Sequence, residues 1–573
     1  MKERIFEGIC SSKGIVIGKV RVFETDKMTV DYKPVKYIKE ELLKFEKVRR
    51  KIIGEWKKIS YGWRGNISRI LDAQIMILED PEFVKRVKEK IEEENLKAEA
   101  AVLESLEEFL NKIEESKDEI FKERANEIRY LGKRIIMEMQ GQEGFIPAKP
   151  GEIIVASDLL PVDILELKNK KPIGIVIEKG GATSHTLIIA RQMEIPLLCG
   201  VKDILKEVKN GQEAILDGWN SKLILDPSKS TIEEYEEKVK RVEILIDKFV
   251  KKKPPKSKER KKIAVLGNIG MPEEIKIIKK YDGQGVGLFR TEIAIWDPIK
   301  WRNESYQAEI YQECAQEIFP DPLVIRLLDV GAGRYFTGFQ ETNPFLGTRG
   351  IRFLMKEKEI LRTQIRAILK ASSLGNVRIL LPMVSLLQEI IAIKKYIEKL
   401  KKELKVERVS FDNYISVGIM VEVPGTALMT EKIAPHVDFI SIGTNDLTQY
   451  LFGVDRNNVN VAYLYNDFHP AIFKIISHII KGAHQYRKRV SVCGELASSP
   501  LGAVILMGLG IDELSVHPSD IPFIREVVTK IEYKKTKELA RNVLEMTNAS
   551  EVKEAAKEFL KKHLPELSKI MFE

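Results

Sequence analysis

The spacing of apolar positions predicts a helical segment from about residue 35 to residue 140. Apolar side chains recur there at intervals of three and four, as on one face of an α-helix. Asp80-Pro81 predicts the end of one helix and the start of the next, because aspartate caps helices and proline fits their first turn. The spacing is carried by Ile70, Leu71, Gln74, Ile75, Leu78, Val84, Val87 and Ile91. We expect a helical bundle over 26–144.

Short apolar runs flank this bundle and predict β-strands. Residues 8–22 suggest short strands broken by glycines, which must pair with a later segment because they are too few to fold alone. After the bundle, strands are predicted at 152–156, 172–178, 195–200 and 213–218. The pattern therefore predicts one α/β domain made of 1–25 and 145–228, with the bundle as an insertion.

The remainder alternates strands and helices. A helix is predicted from Ser230 to Val250, and the lysines and double proline that follow mark a domain boundary, so that 229–260 is a linker. Eight strand–helix units then fill 261–573, which predicts a (β/α)8 TIM barrel, with a doubly wound open sheet as the alternative. The predicted strands are Ile263–Asn268, Gly285–Phe289, Leu323–Leu328, Val377–Leu381, Val417–Val421, Phe439–Ile442, Val490–Cys493 and Glu513–Val516.

Composition narrows the functional class without changing this division. The net charge of +9 is small for 573 residues, and no basic stripe with interleaved aromatics suggests nucleic-acid binding. We expect no membrane insertion, since no apolar run reaches about 18 residues, and no signal peptide is apparent. The four cysteines form no CxxC pair, so neither a zinc site nor a disulfide framework is expected. A reducing cytoplasm fits this usage.

His185 is the candidate reactive residue of the α/β domain. Gly180-Gly181 predicts a tight turn, Thr183 or Ser184 can cap a helix, and His185 would lie in its first turn. A phosphoryl group on this imidazole would lie near free backbone N–H groups and the positive end of the helix dipole. The simpler interpretation, a structural histidine beside a helix cap, fits the segment equally well.

A second set of candidates follows the predicted barrel strands. Catalytic residues of TIM barrels lie at the carboxyl ends of the strands, a face that we call the barrel mouth. Arginine forks suit a small anion carrying phosphate and carboxylate, two carboxylates suit Mg²⁺, and a thiol can be a nucleophile or proton donor. The alternative for any one residue is a salt bridge of the rim. The candidates are Arg290, Arg326, Asp329, Glu422, Asn445, Asp446, Arg456, Cys493 and Glu495.

Taken together, these motifs resemble the enzyme I family of the bacterial phosphoenolpyruvate-dependent sugar phosphotransferase system. The similarity extends over nearly the whole chain. Related dikinases and synthases share the histidine and barrel motifs but need an ATP-binding domain, for which this chain has no room. The matching segments are 8–19, 73–80, 122–125, 180–191, 287–292, 343–347, 418–422, 443–450, 454–456, 461–465 and 493–495.

The resemblance implies a role for each candidate. His185 would accept the phosphoryl group of phosphoenolpyruvate on Nε2, and Cys493 would protonate the enolate carbon to give pyruvate. The helical insertion would dock a small histidine phosphocarrier protein, and the barrel would form a homodimer. Substrate binding would fall to Arg290, Arg326, Asn445, Asp446 and Arg456, and Mg²⁺ binding to Glu422 and Asp446.

The chain departs from the family pattern at several positions. Ala182 stands where an arginine is usual beside the histidine, Lys13 replaces a common proline, and Tyr130 replaces an acid. The segments 331–334 and 496–499 also differ from the usual loops. Because Ala182 removes a positive charge next to the histidine, two alternatives stay open. One is a sensor that binds phosphoenolpyruvate and a partner without turnover, and the other is a paralogue serving a non-sugar carrier.

Overall fold

The computed structural model divides the chain into two compact units, Met1–Val239 and Lys240–Glu573. None of its described helices combines the length and apolarity that a membrane span requires. His185 and the predicted helix around it lie outside the described residues. The residues described are 3–23, 30–62, 75–114, 131–141, 148–159, 163–164, 167, 170–179, 195–251, 263–295, 298–331, 341, 343–456, 458 and 460–572.

The first unit contains an eight-stranded mixed sheet in the order β1-β8-β7-β3-β4-β5-β6-β2. The central strands β3 to β6 are parallel, and the remaining pairs are antiparallel. As predicted, the first strands pair with segments beyond the helical insertion. The strands are β1 Arg4–Glu7, β2 Ile9–Ser12, β3 Ile15–Phe23, β4 Glu152–Ala156, β5 Gly174–Ile177, β6 Leu197–Cys199, β7 Glu213–Asp217 and β8 Lys222–Leu225.

One prediction for this sheet was wrong, because Gly18 does not break a strand. Strand β3 continues through it for nine residues. A Cβ on Gly18 would lie 2.7 Å from the carbonyl oxygen of Gly151 and 2.6 Å from Cδ1 of Ile173. The glycine therefore permits a close approach of neighbouring chain and does not mark a turn. Strand β8 was not predicted.

Helices Ile38–Gly62, Pro81–Glu93 and Ala98–Glu114 make up most of the described helical segment, with further helical residues at 75–79 and 131–139. Oδ1 of Asp80 accepts hydrogen bonds from the backbone N–H groups of Glu82 and Phe83 at 2.8 and 2.9 Å. This cap confirms the helix start read from the sequence. Phe83 and its neighbours at helix spacing are buried, so the apolar face is the packed face.

The second unit is a closed barrel of eight parallel strands, β9 to β16, in which β16 pairs with β9. The prediction of a TIM barrel is confirmed, and the open-sheet alternative is wrong. All eight predicted strands exist, with bounds that differ by at most two residues. The strands are β9 Ala264–Ile269, β10 Val286–Arg290, β11 Leu323–Arg326, β12 Val377–Leu381, β13 Ser416–Val421, β14 Phe439–Ile442, β15 Arg489–Val492 and β16 Glu513–Val516.

Helices follow the strands and surround them. The interior is filled by a cluster that includes Leu288, Met420, Phe439 and the thiol of Cys493. The helices of this unit, including the end of a linker helix Lys229–Lys251, are Ile275–Lys280, Thr291–Ala294, Glu304–Ile318, Ile351–Lys356, Lys358–Ala371, Leu387–Val406, Pro424–Leu428, Thr430–Ile433, Thr444–Phe452, Pro470–Gln485, Glu495–Ser498, Pro500–Leu509, Ile521–Lys530, Tyr533–Glu545, Ala549–His563 and Pro565–Phe572.

Candidate active site

Two arginines end neighbouring strands at the barrel mouth. The β10–β11 register places Arg290 directly opposite Arg326, so both guanidinium groups start from the same level of the barrel. Burial lowers the pKa of Arg290, and the charge of Arg326 lowers it further. No ion pair to Arg290 is found within the described part of the chain. Two cations held this close, one of them without an acidic partner there, form a site for an anion.

Arg326 is anchored by two carboxylates. Its Nη1 lies 3.1 Å from Oδ2 of Asp329, and its Nη2 donates to Glu292. Burial alone would lower the pKa of Arg326, but the charges of Glu292 and Asp329 raise it above its ordinary value. Its Nε is buried with no hydrogen-bond partner. The side chain is therefore held in place with one N–H group left for a ligand.

Three carboxylates gather beside these arginines: Asp329, Glu422 and Asp446, which we call the carboxylate cluster. One oxygen of each lies within 4.8 Å of the others. Asp329 receives Nε and Nη2 of Arg349 at 3.1 and 2.7 Å, and the charges of Arg349 and Arg326 outweigh its burial, so that its pKa falls to about 2. Asp329 is thus an anion at neutral pH.

Glu422 occupies the innermost position of the carboxylate cluster. It is 1% exposed, and its Oε1 accepts the backbone N–H of Met383 at 2.6 Å. Burial, together with the charges of Asp329 and Asp446, raises its pKa to about 8. A Cβ on Gly443 would lie 3.0 Å from Oε2 of Glu422, so this glycine leaves the second oxygen its space. A divalent cation would remove the repulsion that raises this pKa.

Asp446 supplies the clearest test of whether a cation fits. Its Oδ2 accepts Nη2 of Arg349 at 2.9 Å, while its Oδ1 is buried without a hydrogen-bond partner. Nη2 of Arg456 lies 3.8 Å from Oδ1, beyond hydrogen-bond distance. A buried carboxylate oxygen without a donor is costly unless a ligand completes it. An all-oxygen cluster with such an oxygen fits a hard divalent ion such as Mg²⁺.

Asn445 is oriented by a backbone N–H group of the segment that follows strand β15. Its Oδ1 accepts the N–H of Glu495 at 2.9 Å, and its amide NH₂ makes no hydrogen bond to any residue in the described ranges. Gly494 permits this contact, because a Cβ there would lie 1.8 Å from Oγ1 of Thr444 and 2.9 Å from Oδ1 of Asn445. An amide fixed in this way presents donors to a carboxylate or phosphate oxygen.

Cys493 lies just inside the mouth and is 2% exposed. Its Sγ is 3.3 Å from Oγ of Ser441 and 3.5 Å from the carbonyl oxygen of Ile442. Burial raises the pKa of Cys493, so the group is a thiol at neutral pH. A buried thiol with its proton in place is suited to donate that proton rather than to act as a thiolate nucleophile.

The structure brings the predicted barrel residues together on one face, in contact or through shared neighbours: Arg290, Arg326, Glu422, Asn445, Asp446, Arg456 and Cys493. Sequence reasoning missed Arg349 and did not count Asp329 among the metal ligands. The position of Asp329 directly after a predicted barrel strand was the signal that could have identified it as a metal ligand. Arg349 follows an irregular segment after the Asn343–Gly347 motif, so no strand end pointed to it.

Comparison with known proteins finds matches in three segments of the chain. Three family profiles of phosphoenolpyruvate-utilising enzymes match, described as the N-terminal part at 7–124, the mobile domain at 148–220 and the phosphoenolpyruvate-binding domain at 247–533. An NMR solution structure described as Enzyme I (nEIt) is 30% identical and covers 42% of this chain and 99% of its own, with a TM-score of 0.36. That score is too low to support an argument.

Full-length relatives are more informative. The phosphoenolpyruvate-protein phosphotransferase of Priestia megaterium is 35% identical over 562 residues, which cover 96% of this chain and 98% of the relative. The phosphoenolpyruvate-protein phosphotransferase of Bacillus subtilis strain 168 is 35% identical over 566 residues, covering 97% and 99%. The resemblance found in the motifs is confirmed, and the chain belongs to the phosphoenolpyruvate-utilising enzymes, in the family of phosphoenolpyruvate-protein phosphotransferases.

Proposed function

We propose that the protein transfers the phosphoryl group of phosphoenolpyruvate to its own His185 and then to a histidine of a small phosphocarrier protein. The reaction releases pyruvate and is the first step of the sugar phosphotransferase system. One observation carries the proposal: arginines, a carboxylate cluster with an unsatisfied oxygen and a buried thiol share the barrel mouth. Two relatives named phosphoenolpyruvate-protein phosphotransferase, which match this chain over nearly its whole length, support the proposal.

The arginines would bind the substrate's phosphate and carboxylate. Arg290 and Arg326 emerge side by side, and Nε of Arg326 has no hydrogen-bond partner among the described residues. Arg456 and the amide of Asn445 extend the cationic and donor surface across the mouth. Phosphoenolpyruvate carries both anionic groups on a three-carbon skeleton, which this compact arrangement matches.

Glu422 and Asp446 would hold Mg²⁺, and we add Asp329 as a neighbour on the strength of its place in the carboxylate cluster. When bound, the ion would supply positive charge to the substrate's oxygens. The protein's own part is to keep Oδ1 of Asp446 and Oε2 of Glu422 available, through the bonds that Arg349 and Met383 make to the other oxygens.

The bond changes balance with these groups and one proton from solvent. The phosphorus–oxygen bond of the substrate breaks as phosphorus bonds to Nε2 of His185, and the enolate keeps the electron pair. Carbon 3 of the enolate then takes the proton of the Cys493 thiol, which gives pyruvate and leaves a thiolate to be reprotonated by solvent. Because burial raises the pKa of Cys493, the proton is present when the enolate forms.

The domain roles follow from this chemistry. We assign 1–25 and 145–228 to the phosphohistidine domain, 229–260 to the linker on which it moves, and 261–573 to substrate binding and dimerisation. The insertion 26–144 would dock the carrier, and its exposed Leu43 and Met76 offer apolar contacts. Exposed side chains at Leu428, Met429, Tyr463 and Leu464 support a homodimer through the barrel. We place the protein in the cytoplasm, where its cysteines would stay reduced.

A phosphoryl-transfer assay tests the proposal. Phosphoenolpyruvate labelled on phosphorus should label the purified protein in the presence of Mg²⁺, and His185→Ala should abolish the label. His436→Ala is the matched control, because His436 is an exposed histidine of the barrel unit. Cys493→Ala should keep substrate binding but slow pyruvate formation by at least about 100-fold, in the range typical of a lost general acid.

The assay also separates the alternatives. Labelling that persists in His185→Ala would overturn the assignment of the acceptor. Tight binding of phosphoenolpyruvate without pyruvate release would support the sensor that Ala182 suggests. Transfer from the labelled protein to a carrier outside the sugar system would support the paralogue.

A further inference from the structure

Tyr450, to which the proposed function gives no role, connects the sequence motifs 343–347 and 443–450. It lies in the helix Thr444–Phe452, directly after the barrel's sixth strand, and its hydroxyl donates to the carbonyl oxygen of Phe345 at 2.5 Å. Phe345 belongs to the segment that follows the third strand. The same hydroxyl accepts Nη1 of Arg349 at 3.2 Å. One hydroxyl thus joins the 343–349 segment to the helix that carries Asp446.

Arg349 carries this connection into the carboxylate cluster. Its Nε and Nη2 donate to the two oxygens of Asp329 at 3.1 and 2.7 Å, and Nη2 also reaches Oδ2 of Asp446 at 2.9 Å. The remaining nitrogen, Nη1, faces Tyr450. The guanidinium lies 5.9 Å from the ring centre of Phe345. Every nitrogen of the fork therefore has a named partner within the protein.

The backbone next to Arg349 is held against the same cluster. Gly350 has a positive φ of 57°, and a Cβ there would lie 2.9 Å from Cβ of Met383 and 3.2 Å from Oδ1 of Asp329. Met383 in turn donates its backbone N–H to Glu422. The segment that contains Arg349 and the carboxylate of Glu422 thus both pack against Met383. Because protein interiors are closely packed, a displacement of one is transmitted to the other.

We propose that Tyr450 is a positioning residue, which through Arg349 holds Asp329 and Asp446 in the orientation that a divalent cation needs. The proposal rests on the cation site of the proposed function but not on its phosphoryl chemistry. With Oδ2 of Asp446 tied to Arg349, the buried Oδ1 is the oxygen presented to the cation. By linkage, a cation that prefers this orientation also stabilises the 343–349 segment.

A purely structural tyrosine would behave differently. Removing its hydroxyl would lower stability but would leave cation affinity alone, since the hydroxyl touches no member of the carboxylate cluster directly. A positioning role predicts that the affinity of the folded protein for the cation falls as well, whatever the change in the unfolding midpoint measured with a chelator. Partners that orient metal ligands typically contribute 10- to 100-fold in affinity.

The test measures Mn²⁺ binding to the full-length chain after dialysis against a chelator, by electron paramagnetic resonance of the free ion. Tyr450→Phe should weaken binding about tenfold, the lower end of that range. Tyr414→Phe is the control, because this tyrosine is 93% exposed and lies before strand β13, at the opposite end of the barrel from the mouth. Hydrogen exchange of peptides covering 343–349 should slow on Mn²⁺ addition in the wild type and less so in Tyr450→Phe.

Equal Mn²⁺ affinity in Tyr450→Phe and the wild type would overturn the positioning role and leave the proposed function standing. A wild type that binds no Mn²⁺ would instead overturn the cation site of the proposed function, and the positioning role with it. If Tyr450→Phe does not fold, Arg349→Lys takes its place. Lysine keeps the charge but cannot hold Asp329, Asp446 and Tyr450 with one fork, so the affinity should again fall at least tenfold.

Discussion

Each unit of the protein buries an aspartate beside a cationic side chain, and the two aspartates differ in how completely they are satisfied. Asp217 of the first unit is fully buried at the end of strand β7, and Asp446 of the barrel is 8% exposed at the mouth. Both carboxylates are buried beside at least one cation, Lys238 for Asp217 and Arg349 for Asp446. They differ in the number of donors that reach each oxygen.

Both oxygens of Asp217 are occupied. Its Oδ1 accepts the backbone N–H groups of Trp219 and Asn220 at 2.9 and 3.0 Å. Its Oδ2 accepts the side-chain amide of Asn220 at 2.8 Å and the hydroxyl of Tyr235 at 3.0 Å, and Nζ of Lys238 lies 3.5 Å away. Tyr235 and Lys238 belong to the linker helix Lys229–Lys251, so the cluster fastens the start of that helix to the sheet.

The hydrogen bonds of Asp446 are incomplete. Its Oδ2 accepts a hydrogen bond from Arg349, but its buried Oδ1 has no donor among the described residues. The donors that the protein supplies to Asp217 let that carboxylate stabilise the fold, whereas the unsatisfied oxygen of Asp446, at the mouth and beside two further carboxylates, is available to a ligand. Burial and a neighbouring cation therefore do not by themselves separate these two aspartates. The number of hydrogen bonds to each oxygen does.

The largest effect on cation binding that would test this distinction is expected for Asp446→Asn. The substitution removes the negative charge of the carboxylate that would bind the cation. The affinity for Mn²⁺ should therefore fall by more than about 100-fold, which exceeds the loss expected when only a residue that orients a metal ligand is removed. Stability measured with a chelator should change by less than about 1 kcal/mol, because Arg349 keeps its two bonds to Asp329. Electron paramagnetic resonance and urea unfolding give the two values. Strong destabilisation would instead mean that Asp446 has a structural role, like Asp217.

Asp217→Ala is expected to show the opposite result. It leaves Lys238, 4% exposed, without its counter-charge, and breaking a buried pair in this way typically costs about 3–5 kcal/mol. Hydrogen exchange of peptides from 213–239 should accelerate accordingly, while Mn²⁺ affinity is unchanged. Lys206→Gln, which removes an exposed pair with Asp203 in the same unit, should leave exchange as it was. Unchanged exchange in Asp217→Ala would contradict a structural role.

Glu274 should have a smaller, pH-dependent effect on stability. Like Asp217 it accepts hydrogen bonds from the backbone, and like the carboxylates of the mouth it is buried near an arginine. Its Oε2 accepts the backbone N–H groups of Gly270 and Met271 at 2.7 and 2.9 Å, yet burial raises its pKa to about 7. A carboxyl with a raised pKa contributes stability that is complete below about pH 4.5 and is lost as the pH rises through about 7.

The wild type should therefore lose up to about 3 kcal/mol of stability across this window relative to Glu274→Gln, which cannot ionise. Urea unfolding of the barrel unit at pH 5, 6, 7 and 8 measures both slopes. Parallel slopes for the wild type and the variant would mean that Glu274 keeps an ordinary pKa in the folded protein.

Much of the barrel could be predicted from the sequence because its strands are buried on both faces. Parallel strands in that setting appear as near-continuous apolar runs, and Val377–Leu381 and Phe439–Ile442 begin and end where the runs do. The candidate residues Arg290, Arg326 and Glu422 followed from the rule that chemistry gathers at strand ends. Their roles as substrate and metal ligands, and that of His185, stay predictions.

The failures have physical causes as well. Gly18 was interpreted as a strand break, but its backbone is extended and the missing side chain serves a close approach to Gly151. Arg349 went unnoticed because it follows an irregular segment, where neither helix nor strand periodicity applies. Its importance depends on Asp446, which lies 97 positions further along the chain.

Local pattern alone thus determined which segments become strands and helices and which polar side chains end the barrel strands, because those features depend on neighbours a few residues away. Only the tertiary structure decided that β16 closes on β9, that Arg349 bridges Asp329 and Asp446, and that one oxygen of Asp446 has no donor. Such features come from contacts between residues far apart in sequence. Their geometry is set by how the whole barrel packs, which no local periodicity records.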